Sequence, residues 1–388
     1  MAYLLWTCGI LLAVAWFTRI LECAIGVPTI ADISKPAWDL WPARHPRVSI
    51  IVPARDEEAD IEQCLTQLLS LDYDNYEVIA LDDRSTDPTG EIMERVAAGP
   101  AANGRLRVVR IAELPSRWLG KTHAMWTAGL AATGDWLLFT DADVLFKPQV
   151  LRRALAYAEQ EKADHVVVFP RIIMKRPGER MMIAFFQALF TFGHRPWKVA
   201  DPKAKDHMGV GAFNLVRRSV YEAIGTYKAL RMEVLDDMKL GKVIKNAGFR
   251  QRNVFGEDLI SVHWAKGAMG VVNNLTKNFF AVLSFELWRT FGLAFLLLFL
   301  NLGPFLGVWY GHGWERIPYI VALLGIALIY LGMSWHSSIP PYYVFLHPIS
   351  TLLFTYTLLR SMYFTLRDDG VTWRGTKYPL EELRKGLV

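Results

Sequence analysis

Apolar residues collect at the two ends of this chain, and that partition limits what it can fold into. Residues 4–25 are uncharged except for Arg19 and Glu22, and residues 291–310, 318–335 and 342–364 form three further apolar runs. Each approaches or exceeds the length needed to cross a hydrocarbon layer about 30 Å thick. Buried in lipid, such a run must be helical, because a helix satisfies its own backbone N–H and C=O groups. The first lacks a basic start and a small-residue cleavage site, so residues 1–27 read as an anchor and not as a removable signal peptide. Residues 45–260 carry the charge density of a soluble domain. The expected object is a soluble module held by membrane helices at both ends.

Composition agrees with that division. A hydrophobic content of 52%, 14 Trp and a mean hydropathy of +0.19 are too apolar for a wholly soluble chain. Of three cysteines, Cys8 and Cys23 lie inside the first apolar run, leaving neither a disulfide framework nor metal-type spacing. A reducing, cytoplasmic location of the soluble part follows, on a multi-pass protein of the cell (inner) membrane. The net charge of +5 is modest, and Lys35, Arg44, Arg47, Arg360, Arg367 and Arg374 flank apolar runs. That placement suits anionic headgroups and argues against nucleic acid as a partner. Three full crossings after a cytoplasmic domain would strand the basic tail, residues 366–388, outside, against the positive-inside rule. Either one late run re-enters, or the break at residues 337–341 joins two half-depth helices.

The soluble part alternates strand and helix. Residues 48–52 are a β-branched apolar run of the kind that a doubly covered parallel strand requires. A helix follows with Ile61, Leu65, Leu68 and Leu69 on one face. Strands at residues 78–81, 106–109, 136–140 and 165–169, with a helix over residues 121–131, continue the pattern, which predicts a mostly parallel α/β sheet. Asp236-Asp237 opens a helix, and residues 263–289 read as one amphipathic helix lying on the membrane surface.

At the end of the 136–140 strand stand Asp141 and Asp143. Residues i and i+2 of an extended chain point the same way, so the two carboxylates face one spot where open α/β sheets bind ligands. Two hard oxygen donors there suit Mg2+ or Mn2+ shared with substrate phosphates. Lys121, after Gly120, starts a helix whose free N–H groups also favour a diphosphate.

Five pieces in order carry a resemblance: Pro53-Ala54-Arg55-Asp56-Glu57, Asp82-Asp83-Arg84-Ser85-Thr86-Asp87, Gly120-Lys121, Thr140-Asp141-Ala142-Asp143 and Asp236-Asp237. Over roughly residues 46–265 the chain resembles the family-two glycosyltransferases of GT-A fold. Among membrane-bound members it looks most like those acting on lipids or polyisoprenoids, the carotenoid and hopanoid-associated groups included. The resemblance implies a GT-A (Rossmann-like) catalytic domain with transmembrane helices at both ends. It implies that Pro53, Ala54, Arg55 and Glu57 curl around a nucleoside, that Asp83 accepts from a uracil N–H, and that Lys121 and Asp141 meet the diphosphate of a nucleotide-sugar, a UDP-sugar being expected. Asp143, Asp141 and His263 become candidate metal ligands. Asp237 becomes the candidate general base, with Asp236 orienting it. The family's pair is more often Glu-Asp, and Glu233 lies three residues too early to fill that slot. The Gln-x-x-Arg-Trp element of processive members does not occur, which implies transfer of a single sugar. The resemblance itself implies that the transfer inverts and that the acceptor is a lipid or polyisoprenoid hydroxyl. Two alternatives stay open at this stage. A nucleotidyltransferase would carry a glycine-rich basic loop where the acidic 53–58 loop stands. A non-catalytic membrane adaptor that binds nucleotide-sugar would not need Asp237 or the Asp-x-Asp.

Overall fold

The computed structural model describes residues 2–337 and 339–387. Met1 of the anchor, Ser338 of the 337–341 break and Val388 of the tail lie outside them. Contacts divide the chain into two units: Ile30–Ile173, Pro196–His263 and Thr372–Val388 form one, and Met1–Thr29, Met174–Arg195 and Trp264–Val371 the other. The sequence reading kept residues 174–195 in the soluble domain. Their contacts instead group them with the apolar helices: Met182, Ile183, Ala184 and Phe185 are buried on all sides of a helix there, and Phe185 packs on His347 and Phe354.

In the first unit the strands are β1 (Val48–Ala54), β2 (Tyr76–Asp83), β3 (Leu106–Ile111), β4 (Trp136–Phe139), β5 (Val144–Phe146), β6 (His165–Phe169), β7 (Arg171–Ile172), β8 (Asn214–Arg217), β9 (Gln251–Phe255) and β10 (Ile260–Val262). Seven of them form a sheet in the order β3-β2-β1-β4-β8-β6-β9, and β5, β10 and β7 form a second, small sheet. All residues of β1 are buried, as expected of a central strand covered on both faces. β1 pairs in parallel with β2 and with β4, so the loops after Ala54, Asp83 and Phe139 leave the sheet at one edge. β8 is the exception to the parallel order, antiparallel to both β4 and β6. Its entry explains that direction. Asp141 N–H donates to the Gly211 carbonyl at 3.0 Å, so the chain enters β8 from the same edge that β4 leaves.

Helices of this unit are numbered along the whole chain, α1 (Ala2–Gly26) belonging to the other unit. They are α2 (Ile61–Leu69), α3 (Thr89–Ala98), α4 (Gly120–Ala131), α5 (Val150–Gln160), α7 (Arg218–Ala223) and α8 (Asp236–Asn246), with α6 (Pro177–Gly193) again in the other unit. α4 and α8 pack their apolar faces on the sheet through Ala124, Met125, Ala128, Leu240 and Ile244 beside Ile51, Leu137 and Phe139. Buried His165 crosses the sheet interior with its ring nitrogens against Asn214 at 3.0 Å and Gln251 at 2.7 Å. Burial holds its pKa down to about 4, so it serves as a neutral clip between β6, β8 and β9.

The second unit contains α1, α6, α9 (Gly267–Thr276), α10 (Phe279–Val282), α11 (Leu287–Tyr310), α12 (Ile317–His336) and α13 (His347–Arg367). The single surface helix expected over residues 263–289 is thus two helices, followed by Ser284 and Phe285 at φ 57° and 58°, which end helical geometry before α11. Among the described residues, four stretches are long and apolar enough to cross a membrane: Tyr3–Thr29, Leu287–Tyr310, Gly313–Trp335 and Pro341–Arg367. Small residues let these helices approach closely. A Cβ on Gly307 would fall 2.1 Å from the Tyr319 ring, and one on Gly9 2.8 Å from Pro318. α1 and α12 run the same way, since Gly9 meets Pro318 and Trp16 meets Gly325 further along both. α13 runs against α11: His347 contacts Asn301, Leu358 packs on Leu297, and Ser361 accepts from the Phe280 N–H. β11 (Gly370–Trp373), β12 (Thr376–Pro379) and α14 (Leu380–Lys385) complete the chain's elements.

Candidate active site

The loops at the carboxyl edge of β1 and β2 are lashed together. Thr86 N–H donates to Asp56 Oδ1 at 2.7 Å, Ser85 Oγ accepts from the Asp56 N–H at 3.1 Å, and Thr89 Oγ1 accepts from the Glu57 N–H at 2.8 Å. Asp56 and Arg84 both hold left-handed backbone, φ 55° and 59°, a strained geometry that tends to collect at functional loops. Asp82 is buried and accepts from the Ser85 N–H at 3.0 Å, which makes it the fixer of its loop. Asp83 is buried and clasped by Arg84, Nε to Oδ1 at 2.8 Å. Gly120 is required beside it: a Cβ there would lie 2.2 Å from Asp83 Oδ2, so only glycine lets α4 begin against the end of β2.

Pro53 and Ala54 are buried at the end of β1, and Arg55 and Glu57 follow half-buried in the loop. Burial raises the Glu57 carboxyl above its ordinary value, Arg374 opposes that, and Asp141 adds to it. Lys121 Nζ lies 2.7 Å from Asp141 Oδ1 and 3.5 Å from Asp236 Oδ2. Burial disfavours its charge, yet Asp141, Asp236 and Asp237 together hold its pKa well above the usual lysine range.

Asp237 presents a half-buried carboxylate whose two oxygens accept from the N–H groups of Gly211 at 2.9 Å and Met238 at 2.7 Å. Burial raises its pKa, against the pull of Lys121. Asp236 is buried and is also raised, by burial first, with Lys121 opposing. Lys121, Met125, Phe139, Thr140, Asp141, Gly211, Asn214, Tyr227, Asp236 and Asp237 line one pocket. The structure therefore brings Lys121, Asp141, Asp236 and Asp237 together from three distant stretches. Glu233 is elsewhere occupied, its carboxylate 3.0 Å from Lys239 Nζ.

Asp143 is half-buried, and burial, then Asp141 and Glu57, push its carboxyl up to about 7. β5 begins one residue later and runs antiparallel to β10, with Val144 opposite Val262. His263 is the residue after β10 and Asp143 the residue before β5, and the ladder ends at the Val144–Val262 pair. Among the described residues, no group of three or more His, Cys, Asp or Glu side chains is arranged as a metal site. Oxygen donors are nevertheless available. Asp141 and Asp143 supply hard ligands, and a Cβ on Gly211 would fall 2.3 Å from Asp141 Oδ2, so glycine keeps open the space beside that carboxylate.

The profile of glycosyl transferase family 2 matches residues 49–225 of this chain. Those residues form a family 2 glycosyltransferase domain. The 4,4'-diaponeurosporenoate glycosyltransferase of Staphylococcus haemolyticus (strain JCSC1435) is 23% identical over 234 residues, which is 60% of this chain and 60% of that one. The enzyme of the same name from Staphylococcus aureus (strain MRSA252) is 23% identical over 346 residues, 87% of this chain and 90% of that one. Among solved structures, the mannosyltransferase PcManGT of Pyrobaculum calidifontis, in complex with GDP-Man and Mn2+, superposes with a TM-score of 0.56 at 22% identity, covering 94% of this chain and 99% of that one. The mostly parallel sheet is thus that of a GT-A glycosyltransferase, and the family expected from the five sequence pieces is the family found. Asp236, Asp237 and His263 lie beyond the matched residues; Asp236 and Asp237 line the pocket described above, and His263 does not.

Sequence reasoning missed several residues. Gly211, Tyr227 and Asn214 line the pocket without any motif to mark them. Arg374 and Tyr378 reach the loop after β1 and the start of α4 from a segment that reads only as a basic tail.

Proposed function

We propose that the protein transfers a single sugar, with inversion, from a nucleotide-sugar to a hydroxyl of a membrane lipid or polyisoprenoid. The observation that carries this reading is the convergence of Lys121, Asp141, Asp236 and Asp237 on one pocket at the carboxyl edge of a family 2 sheet. Asp83 would accept from a ring N–H of the base, uracil being favoured, and Glu57 with the backbone of residues 53–55 would enclose the nucleoside. The start of α4 and Lys121 would meet the diphosphate. A divalent cation on Asp141 and Asp143, with His263 as a further ligand, would supply positive charge to the departing diphosphate. Asp237, aimed by two backbone N–H groups, would take the proton of the attacking hydroxyl. Asp236 would keep Lys121 charged and in place. The carotenoid-type relatives and the apolar helices of the same chain support an amphiphilic acceptor. The acidic 53–58 loop disfavours a nucleotidyltransferase.

The test is release of nucleoside diphosphate from labelled UDP-sugars and GDP-sugars by membranes containing the protein. Release is expected to require Mg2+ or Mn2+ and to fall about 100-fold or more in Asp143→Asn, the scale of losing one stabiliser of developing charge. Unchanged release from that variant would remove the metal assignment, and absence of release with every donor would remove the reading.

The same reading places the catalytic unit and the tail on the cytoplasmic side. Thr372–Val388 belongs to the catalytic unit, so the chain between His263 and Thr372 must return to the side it left. An even number of crossings results. α11 and α12 supply two. α13 starts level with Asn301, 14 residues into α11 and so about 21 Å along it, and ends near Phe280, beside the beginning of α11. α13 therefore enters and leaves from one side. A cysteine introduced at Lys385 should be shielded from an impermeant thiol reagent in intact cells, as one at Lys162 should be, whereas one at Gly313 should react. Labelling of the Lys385 site from outside would restore three crossings.

A further inference from the structure

Resting on the donor-binding reading above, we propose that the hairpin following α13 is part of the donor subsite, with Arg374 and Tyr378 as positioning residues for the nucleotide. The hairpin turns through Arg374 and Gly375, at φ 47° and 74°, the pair of positive values that a two-residue turn between β11 and β12 demands. That turn is set against the loop after β1. Arg374 Nη1 donates to the Asp56 carbonyl at 3.1 Å, its Nη2 pairs with the Glu57 carboxylate, and Arg55 Nη1 donates to Thr376 Oγ1 at 3.0 Å. One strand further on, buried Tyr378 accepts at its hydroxyl from the Gly120 N–H at 3.1 Å. The same hydroxyl also bonds the Arg84 side chain, which holds Asp83.

The tail is built into the unit. Leu380 and Leu383 are buried, and a Cβ on Gly386 would fall 2.2 Å from Met232 Cβ, so α14 lies against the segment leading to Asp236. The hairpin thus joins three things that a nucleotide must meet at once: the Glu57 loop, the Asp83–Arg84 pair and the start of α4. A guanidinium on Glu57 aims that carboxylate, and the Tyr378 hydroxyl fixes the first N–H of the helix relative to the base-binding loop. Neither residue is placed to touch the reacting sugar, so their loss should act on donor affinity and leave the chemical step alone.

The experiment measures KM for the donor and kcat of nucleoside diphosphate release in full-length protein in membranes, with binding of UDP and of GDP titrated in parallel. Arg374→Ala and Tyr378→Phe are each expected to raise donor KM about tenfold, the scale of one charge-assisted or buried hydrogen bond, with kcat within about twofold. Arg374→Lys should recover much of the affinity, because it keeps a cation on Glu57. In the Glu57→Gln background, Arg374→Ala should cost little more, the two residues acting as one unit. A purely structural role would lower the active fraction, and so kcat, at constant KM. Wild-type KM in Arg374→Lys, Arg374→Ala and Tyr378→Phe, with the parent enzyme turning over normally, would overturn the clasp. A parent protein that neither binds UDP or GDP nor releases either would instead overturn the functional reading beneath it.

Discussion

Replacing Asp237 with Asn should lower the rate of sugar transfer about 1000-fold while leaving nucleotide binding within about twofold. The size follows from the share that a positioned general base contributes. The selectivity follows from the geometry. Asp237 stands at the start of α8 with Gly211 and Met238 N–H groups on its oxygens, and these hydrogen bonds involve neither the 53–57 loop nor Asp83. An asparagine keeps the shape and one acceptor oxygen, but its amide cannot take a proton at ordinary pH. Single-turnover transfer, with UDP and GDP titrated into the same preparation, measures both quantities. Equal transfer by the variant would remove Asp237 as the base; joint loss of transfer and binding would make it a donor-site residue instead.

Gly209→Ala should damage the same step by a different route. An added Cβ would stand 1.8 Å from the Asp237 carbonyl oxygen and 2.8 Å from the Met238 nitrogen. Both are backbone atoms of the first turn of α8, so no side chain can swing aside. The contact repeats one helical stretch later, where a Cβ on Gly241 would fall 1.9 Å from the Met208 carbonyl. Residues 208–209 and α8 thus touch backbone to backbone at two points, and pushing them apart carries Asp237 away from Gly211. Overpacking of this kind costs about 1–3 kcal/mol. We expect transfer to fall about 100-fold or more, with a lower unfolding temperature. Gly193→Ala, whose Cβ meets nothing within 4 Å, should change neither. Wild-type transfer in Gly209→Ala would show that the start of α8 need not be held so closely.

The legible parts of this molecule were those whose physics is local. β1 announced itself as an unbroken β-branched run because it is covered on both faces, and the apolar helices did so by length. Asp141 and Asp143 were readable because strand periodicity fixes which way alternate residues point. Lys121 was found through its glycine, although the reason for Gly120 is tertiary: the carboxylate of Asp83 occupies the space where a side chain would stand. What stayed hidden was long-range. Nothing in Asn214–Arg217 says that β8 runs antiparallel, since that depends on the edge from which the chain returns. The helix at Pro177–Gly193 has the composition of a soluble core helix, and only its partners place it with the apolar segments. Arg374 and Tyr378 are the clearest instance. Their roles depend on Glu57 and Gly120, more than 250 positions away in sequence.

That long reach has a consequence for biogenesis. The ribosome releases the sheet, the Asp-x-Asp and α8 well before it reaches Tyr378. With the roles proposed above, a nascent chain paused before its last apolar segment would already hold Asp237 as proton acceptor, while still missing the hairpin across the loops after β1 and β2. Full donor affinity would then arrive only after membrane integration is finished, so that a half-inserted enzyme consumes little activated sugar.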